Sequence, residues 1–236
     1  MDASPHISLV FVNYRSAQCL AAALRSLFSF ERETDFFEVI VVNNDASENP
    51  VLLALKQSLP FVLIESGSNV GFGRGSNLGA GQARGKIIGF INPDVLWTGA
   101  HLRGIAGVFD GERNIGVLGM ALMDADRKPE PWSAGDAPSL ANLFRNNLLP
   151  SRQASWGTAA ASFPDWVSGG ALFIRAELFS AIGAFPLIHL GGGSSLFANL
   201  QKRYFYESQK KYFEKRRPAW EGKALGLLHF LFRIPC

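Results

Sequence analysis

The sequence predicts an α/β fold built on a mostly parallel sheet, and two observations carry this prediction. Short apolar runs alternate with helical segments four times before residue 95, a pattern that requires right-handed crossovers between parallel strands. The runs also lack the polar alternation of half-exposed strands, which is expected when both faces of a strand are buried.

The first strand is predicted over Ile7 to Val12, where β-branched and aromatic residues end at Asn13-Tyr14. Ser16 is a suitable N-cap for the helix that follows, in which leucines recur at helical spacing. The second strand spans Phe37 to Val42, and Asn49-Pro50 opens the next helix.

A glycine-rich helical segment, Asn69 to Gly85, separates the third strand, Phe61 to Ile64, from the fourth, Lys86 to Ile91. The pattern is looser beyond residue 111. A later strand is predicted over Asp165 to Ile174 with a break at Gly169-Gly170, and a short helix over Ala176 to Ile182 follows it.

Composition limits the classes of protein to consider. Hydrophobic residues make up 47% and charged residues 18% of the chain, as in globular proteins. The net charge of +3 is too small to indicate a nucleic-acid-binding protein. Cys19 and Cys236 match no metal-binding spacing, so we expect free thiols in a reducing compartment. Without a signal-peptide pattern, and with Leu225 to Ile234 too short to span a membrane, we expect a cytoplasmic protein.

Polar residues follow three of the four early strands. Ligands of open α/β sheets bind at the carboxyl ends of the strands, so these residues predict a polar pocket at one sheet edge. The carboxylate of Asp94 could bind Mg²⁺ or Mn²⁺, which often take one or two protein carboxylates plus substrate phosphates. The alternative is an ordinary Asn-Pro-Asp turn. The three polar groups are Asn13-Tyr14, Asn43-Asn44-Asp45 and Asn92-Pro93-Asp94.

The segment from Gly67 to Gly89 contains eight glycines. It matches neither the dinucleotide fingerprint nor the P-loop. Within it, Gly71 is expected to let the backbone approach a ligand closely, and Asn77 is expected to hydrogen-bond a base or ribose. Tight packing of a helix on the sheet is the alternative.

Two later features admit both functional and structural interpretations. Trp166 and Trp132 could stack on a sugar or simply pack, partly buried. His189 precedes a flexible turn, Gly191-Gly192-Gly193, that could wrap phosphates, although an isolated histidine is usually structural.

Residues 196–236 are predicted to form a basic amphipathic helical tail. From Gln201 onward, nine Lys/Arg accompany three Glu and alternate with aromatic residues. Such a helix can lie on an anionic membrane surface. Alternatively, the basic face is solvated and the aromatic residues pack on the domain.

Six motifs, in this order, resemble those of the inverting glycosyltransferase family 2, especially its bacterial rhamnosyltransferase-like branch. The resemblance covers Ile7 to Phe185 and resumes at His189. It implies a GT-A fold in which residues 1–195 bind a nucleotide-sugar. The motifs are Val-Asn-Tyr14, Val-Val-Asn-Asn-Asp-Ala-Ser47, Asn69-Val-Gly-Phe with Gly75-Ser-Asn77, Arg84-Gly-Lys, Ile-Asn-Pro-Asp94 and Trp166-Val-Ser-Gly-Gly-Ala.

The resemblance also implies roles for individual residues. Tyr14 and Asp45 would lie near the base and ribose, with Asn43 or Asn44 as alternative matches to the family's acidic residue. The remaining implied roles are donor binding by Asn69, Gly71, Asn77 and Asn92, contact with the acceptor by Trp166, Gly169 and Gly170, and binding of a divalent metal, Mg²⁺ or Mn²⁺, by Asp94 and His189.

The implied reaction moves a sugar, with inversion, from a dTDP- or UDP-linked donor to a glycan or a lipid-diphosphate-linked acceptor. Rhamnose is the sugar that the branch suggests. Because related enzymes often extend lipid-linked glycans, the resemblance also favours association of the tail with the inner face of the membrane.

The sequence departs from the family where the general base is expected. The chain between Phe185 and His189 is several dozen residues shorter than in the family, and no Asp or Glu occurs between Glu177 and Glu207. Asp165 is the nearby substitute, and loss of a positioned base costs about 10²–10⁴-fold in rate. Two alternatives therefore stay open: a catalytically impaired nucleotide-sugar-binding module and a sugar nucleotidyltransferase.

Overall fold

The computed structural model describes residues 4–130, 133–135, 137, 139, 163–185, 218 and 220–221. Its centre is a six-stranded sheet, accompanied by a two-stranded ribbon. The strands, in chain order, are β1 (Ile7–Asn13), β2 (Phe37–Asn43), β3 (Val62–Glu65), β4 (Ile87–Ile91), β5 (Val117–Gly119), β6 (Ala134–Gly135), β7 (Trp166–Val167) and β8 (Ala171–Arg175).

Helices connect and cover these strands. A 3₁₀ turn, Ala46–Glu48, leads directly from the end of β2 into the second helix. The helices are α1 (Ala17–Phe30), α2 (Asn49–Lys56), α3 (Phe72–Ala80), α4 (Leu102–Gly111) and α5 (Ala176–Ala181).

The large sheet has the order β3-β2-β1-β4-β8-β5. The first four strands are parallel, whereas β8 runs antiparallel to both β4 and β5. The register places Asn13 opposite Asn43, and Asn43 opposite Glu65, so the carboxyl ends of three strands lie side by side. The prediction of a mostly parallel α/β sheet is confirmed.

The apolar runs of β1 and β4 are buried as their composition indicates, whereas β3, at the edge of the sheet, has no buried residue, so the expectation of burial on both faces is wrong for that strand. All seven residues of β1 and all five of β4 are buried. One face of the sheet packs against α1, α2 and α4 through residues such as Phe11, Leu24 and Phe109. The other face carries Val10, Phe90 and neighbouring side chains beneath α3 and α5. Burying a large apolar side chain fully contributes roughly 1.5–3 kcal/mol.

Most predicted boundaries are correct to within a residue or two. The strand predicted over Asp165 to Ile174 is divided into β7 and β8, with the break at the predicted glycine pair, Gly169-Gly170. Ser16 occupies the predicted N-cap position of α1, but its side chain makes no capping hydrogen bond to the helix, which corrects the expected role of its hydroxyl. Its hydroxyl instead donates to Asn13 Oδ1, 3.0 Å away.

Several predictions lie outside the described residues. They concern Trp132, His189 and nearly all of the tail, 196–236, together with the short connection to His189. Within the described ranges, no helix has the length and apolarity needed to cross a bilayer.

Candidate functional site

A row of hydrogen-bonded side chains joins the carboxyl ends of β1, β2 and β3. Asn13 Nδ2 donates to Asn43 Oδ1 at 3.0 Å and to Glu48 Oε2 at 2.8 Å. Asn43 Nδ2 in turn donates to Glu65 Oε2 at 2.9 Å. We call these four residues the strand-end row. Because Asn13 and Asn43 are 0% and 1% exposed, the two asparagines form the floor of this edge.

The side-chain amide of Asn43, a predicted donor-binding residue, forms hydrogen bonds to residues at the same edge of the sheet. Its Oδ1 accepts from Asn13 and from the backbone N–H of Asp45, and its Nδ2 donates to Glu65. These contacts fix the exit of the chain from β2. Direct contact between Asn43 and a nucleotide stays a prediction.

Tyr14 and Asp45 are brought together through Arg15. The guanidinium carbon of Arg15 lies 5.3 Å from the centroid of the Tyr14 ring, and its Nε lies 3.7 Å from Asp45 Oδ2. Such a cation–π contact is favourable. Arg15 has a φ of 52°, in the left-handed region that non-glycine residues rarely adopt. Sequence reasoning did not single out Arg15, although its place directly after Tyr14 at a strand end was the available signal.

The carboxyl group of Asp45 is held in its ionised form. Hydrogen bonds from the Ser47 hydroxyl and backbone N–H, with a smaller contribution from Arg15, lower the pKa of Asp45 below its usual value. The two Ser47 bonds measure 2.6 and 3.0 Å to Asp45 Oδ1. At neutral pH this residue therefore carries a negative charge close to the Arg15 guanidinium.

The start of α3 is tied to the same edge. Asn44, which is 3% exposed, donates from Nδ2 to the backbone oxygen of Gly71 at 3.2 Å. Asn69 Oδ1 accepts the N–H of Gly71 at 3.0 Å. Gly71 has a φ of 82°, which suits glycine and turns the chain into the helix. Two predicted residues, Asn69 and Gly71, are thus brought together at a helix N-terminus, where free N–H groups favour anions.

Asn77 lies further along α3, and its amide binds the backbone of Phe185. It donates to the Phe185 oxygen and accepts from the Phe185 N–H, both at 3.1 Å. This pair of bonds joins α3 to the end of the segment that follows α5. Contact of Asn77 with a base or ribose stays a prediction.

The end of β4 lies beside the turn between β7 and β8. The N–H of Asn92 donates to the oxygen of Gly170 at 2.8 Å, so a predicted donor residue and a predicted acceptor residue are neighbours. A Cβ at Gly170 would lie 2.7 Å from Leu122 Cδ1, whereas one at Gly169 would meet nothing within 4 Å. A side chain at position 170 would therefore displace the end of the Leu122 side chain, whereas Gly169 leaves open space at this edge.

Trp166 and Asp165 lie on the β6–β7 ribbon. The Trp166 ring covers Gly135, where a Cβ would lie 2.7 Å from Trp166 Cζ2, and the residue is 36% exposed. Asp165 is exposed, and its Oδ2 accepts the N–H of Ala137 at 2.8 Å. One oxygen of the candidate base is therefore bound to the backbone of the ribbon.

Asp94 is exposed directly after β4. Within the described residues, its carboxylate makes no hydrogen bond or ion pair, and no group of three His, Cys, Asp or Glu side chains forms a metal site. A free carboxylate fits a hard divalent cation that takes its other ligands from substrate phosphates and water. The structure thus provides one suitable metal ligand; His189, the second predicted one, lies outside the described residues.

The acidic members of the strand-end row were missed by sequence reasoning. Glu48 binds three donors that lie 31–35 residues away along the chain. Glu65 is brought to Asn43 by the pairing of β2 with β3. Their places at the carboxyl ends of strands were visible in the sequence, but the partners become evident only once the strand register is known.

Known proteins similar to this chain are glycosyltransferases. An uncharacterized glycosyltransferase of Nostoc sp. is 24% identical over 152 residues, which cover 63% of this chain and 47% of the relative. The mannosyltransferase PcManGT of Pyrobaculum calidifontis was solved in complex with GDP-Man and Mn²⁺ and is 14% identical to this chain. The two structures superpose with a TM-score of 0.55, and the match covers 78% of this chain and 48% of PcManGT. S. aureus TarS 1–349 in complex with UDP-GlcNAc is 21% identical, with a TM-score of 0.54, and the match covers 76% of this chain and 48% of the TarS chain.

This chain therefore spans about half the length of the proteins it resembles. At these identities the solved structures establish the common fold, which is that of GT-A glycosyltransferases. The model of the family described as "Glycosyl transferase family 2" matches residues 8–166, a range that includes the strand-end row, the start of α3 and Asp94. On this match over most of its length, the chain belongs to glycosyl transferase family 2.

Proposed function

We propose that this chain binds a nucleotide-sugar at the carboxyl edge of its sheet and transfers the sugar to an acceptor hydroxyl. The observation that carries the proposal is the convergence of Tyr14, Asp45 and Asp94 at the ends of three adjacent parallel strands. This is the edge at which open α/β sheets bind ligands.

The nucleoside is assigned to Tyr14 and Asp45. The Tyr14 ring offers a face for a base, and the ionised Asp45 accepts hydrogen bonds from ribose hydroxyls or base N–H groups. Asn69 and Gly71 place the N-terminus of α3 near the same edge, in keeping with donor binding there. The complexes of PcManGT with GDP-Man and of TarS with UDP-GlcNAc support a nucleotide-sugar donor.

The diphosphate is assigned to the side of Asp94. Asp94 would hold a divalent metal there, and that metal would supply Lewis-acid chemistry that neutralises the charge of the leaving nucleoside diphosphate. The Mn²⁺ in the PcManGT complex supports this cofactor class. Asn92 carries Asp94 on the turn after β4, and we propose that His189 completes the diphosphate side.

The acceptor is assigned to the side of Trp166 and Gly169. Its hydroxyl attacks the anomeric carbon from the face opposite the leaving group, which inverts the configuration. Asp165 is the candidate to take the hydroxyl proton. We propose a dTDP- or UDP-linked donor, with rhamnose as the candidate sugar, and a glycan or lipid-diphosphate-linked acceptor at the inner face of the membrane, where the tail 196–236 would bind.

A second candidate function is a nucleotide-sugar-binding module with little turnover. It is favoured by the contact of Asp165 Oδ2 with the backbone N–H of Ala137 and by the absence of Asp and Glu between Glu177 and Glu207. Both functions use the same donor site. They differ in whether an acceptor triggers release of nucleoside diphosphate.

Calorimetric titration with UDP and dTDP, with and without Mn²⁺, tests the donor site. We expect Mn²⁺ to strengthen binding of at least one nucleotide, and Asp94→Ala to remove the metal dependence. Asp110→Ala is the matched control, because Asp110 is an exposed aspartate beside His6 at the opposite edge of the sheet. Failure of the folded protein to bind either nucleotide would refute the proposal.

Turnover is then measured with a sugar-linked donor and candidate acceptors. Release of nucleoside diphosphate that depends on acceptor supports transfer. Donor binding without release supports the binding module.

A further inference from the structure

We propose that Glu48 is a positioning residue of the donor site: its hydrogen bonds hold Tyr14 and Asp45 in the arrangement that binds the nucleotide. The inference rests on the proposed function, because it assigns a cause to the geometry of the proposed nucleoside site. Glu48 does not face the nucleotide in this proposal. It acts through the backbone and side chains that carry the binding residues.

Glu48 ends the 3₁₀ turn that follows β2, and its carboxylate reaches across to the junction of β1 and α1. Oε2 accepts from Asn13 Nδ2 at 2.8 Å and from the N–H of Ser16 at 3.0 Å. Oε1 accepts from the N–H of Ala17 at 3.2 Å. Three donors from the end of one strand and the start of one helix therefore converge on a single carboxylate.

These contacts hold both ends of the two-residue turn formed by Tyr14 and Arg15. Asn13 precedes the turn and Ser16 follows it, and both bind Glu48 and each other. Arg15 has a left-handed backbone conformation that a bulky residue adopts only when its surroundings enforce it. The position of the Tyr14 ring therefore depends on the anchor provided by Glu48.

Glu48 is also connected to Asp45, through hydrogen bonds of Asn13 and Asn43. Asn13 Nδ2 is shared between Glu48 and Asn43 Oδ1, and that oxygen also accepts the N–H of Asp45 at 3.1 Å. Glu48 thus links Tyr14 on one side of the site with Asp45 on the other. A carboxylate suits this place because all of its partners are donors, whereas an amide would direct an N–H group at some of them.

The first experiment compares Glu48→Gln with Glu112→Gln as the matched control. Glu112 follows α4 at the opposite edge of the sheet, and its side chain is exposed. We expect Glu48→Gln to weaken UDP or dTDP binding about tenfold or more, since the charged acceptor of three partly buried hydrogen bonds is lost. The control should bind as the unsubstituted protein does.

A second variant separates positioning from helix capping. In Glu48→Gln combined with Gln18→Glu, the new carboxylate lies on the exposed face of the first turn of α1 and stabilises the helix N-terminus, but Asn13 still lacks its charged partner. We expect the melting temperature to recover while nucleotide affinity stays low. Recovery of both would overturn the inference, since Glu48 would then act as a helix cap alone.

The outcomes also separate the two proposals. If the unsubstituted protein binds nucleotide and Glu48→Gln binds equally well, the positioning role is refuted and the donor site stands. If the unsubstituted protein binds no nucleotide, the proposed function is refuted and the inference that rests on it is refuted too.

Discussion

The close packing of α3 on the sheet leads to a sharp prediction for Gly79→Ala. Helix α3 lies against β1 and β2, and a Cβ at Gly79 would lie 2.4 Å from Val10 Cγ1 and 3.2 Å from Val42 Cγ2. The two valines are 1% and 0% exposed, so neither can move aside into solvent. Overpacking of this kind costs about 1–3 kcal/mol.

The helical preference of alanine over glycine opposes this cost by about 1 kcal/mol. Gly107→Ala on α4 isolates that preference, because a Cβ at Gly107 would meet nothing within 4 Å. We therefore expect Gly107→Ala to stabilise the protein slightly. Gly79→Ala should have a free energy of unfolding lower than that of Gly107→Ala by about 1–3 kcal/mol.

Urea unfolding, followed by circular dichroism, measures both free energies. Equal stabilities of the two variants would refute the reasoning, because they would require α3 to move outward without cost. Gly71 at the start of α3 is bonded to Asn44 at the candidate site. A variant in which α3 moves outward should therefore also bind nucleotide less tightly than Gly107→Ala.

The remaining predictions concern two other carboxylates. Glu31, which is 7% exposed, accepts the N–H groups of His101 and Leu102 at the start of α4. We expect Glu31→Ala to lower the free energy of unfolding by about 1–2 kcal/mol. An unchanged free energy of unfolding in urea would contradict this expectation. The pKa of Asp45 is lowered chiefly by hydrogen bonds from Ser47. The ionised Asp45 therefore stabilises the folded protein fully at pH values above the usual pKa of aspartate, and this stabilisation is lost as the pH falls through the lowered pKa. Ser47→Ala should raise the pKa of Asp45 in an NMR titration of its carboxyl carbon, and an unchanged value would exclude Ser47 as the cause.

The four parallel strands and the polar residues at their shared edge could be predicted because their signals are local, whereas β5 and β6 were not predicted. The apolar runs of β1, β2 and β4 lack alternation, which is enough to place them inside a sheet. Their polar ends, including Tyr14 and Asp45, follow from the rule that parallel strands share a carboxyl edge. The glycine pair at 169–170 likewise marked the break between β7 and β8.

The contacts that hold the site could not be predicted because they join residues distant in sequence. Ser16 is the N-cap residue of α1, but its side chain makes no capping bond, and the charged carboxylate of Glu48 accepts the N–H groups of Ser16 and Ala17. Charge-assisted hydrogen bonds are stronger than those of a hydroxyl. Recognising this requires the pairing of Asn13 with Asn43, which places the turn after β2 beside α1. The reversed direction of β8 also has no local signal.

The interior position of β8 affects how the chain folds during synthesis. β8 is the last strand of the large sheet to leave the ribosome, yet it lies between β4 and β5. Until residues 171–175 emerge, one edge of the fully buried strand β4 has no partner, and uncovered apolar edges recruit other chains. A fragment cut at residue 166, where the family match ends, retains β5 but lacks the strand that joins it to β4. A piece that contains all six strands of the large sheet, as the described residues form it, must therefore extend through Arg175.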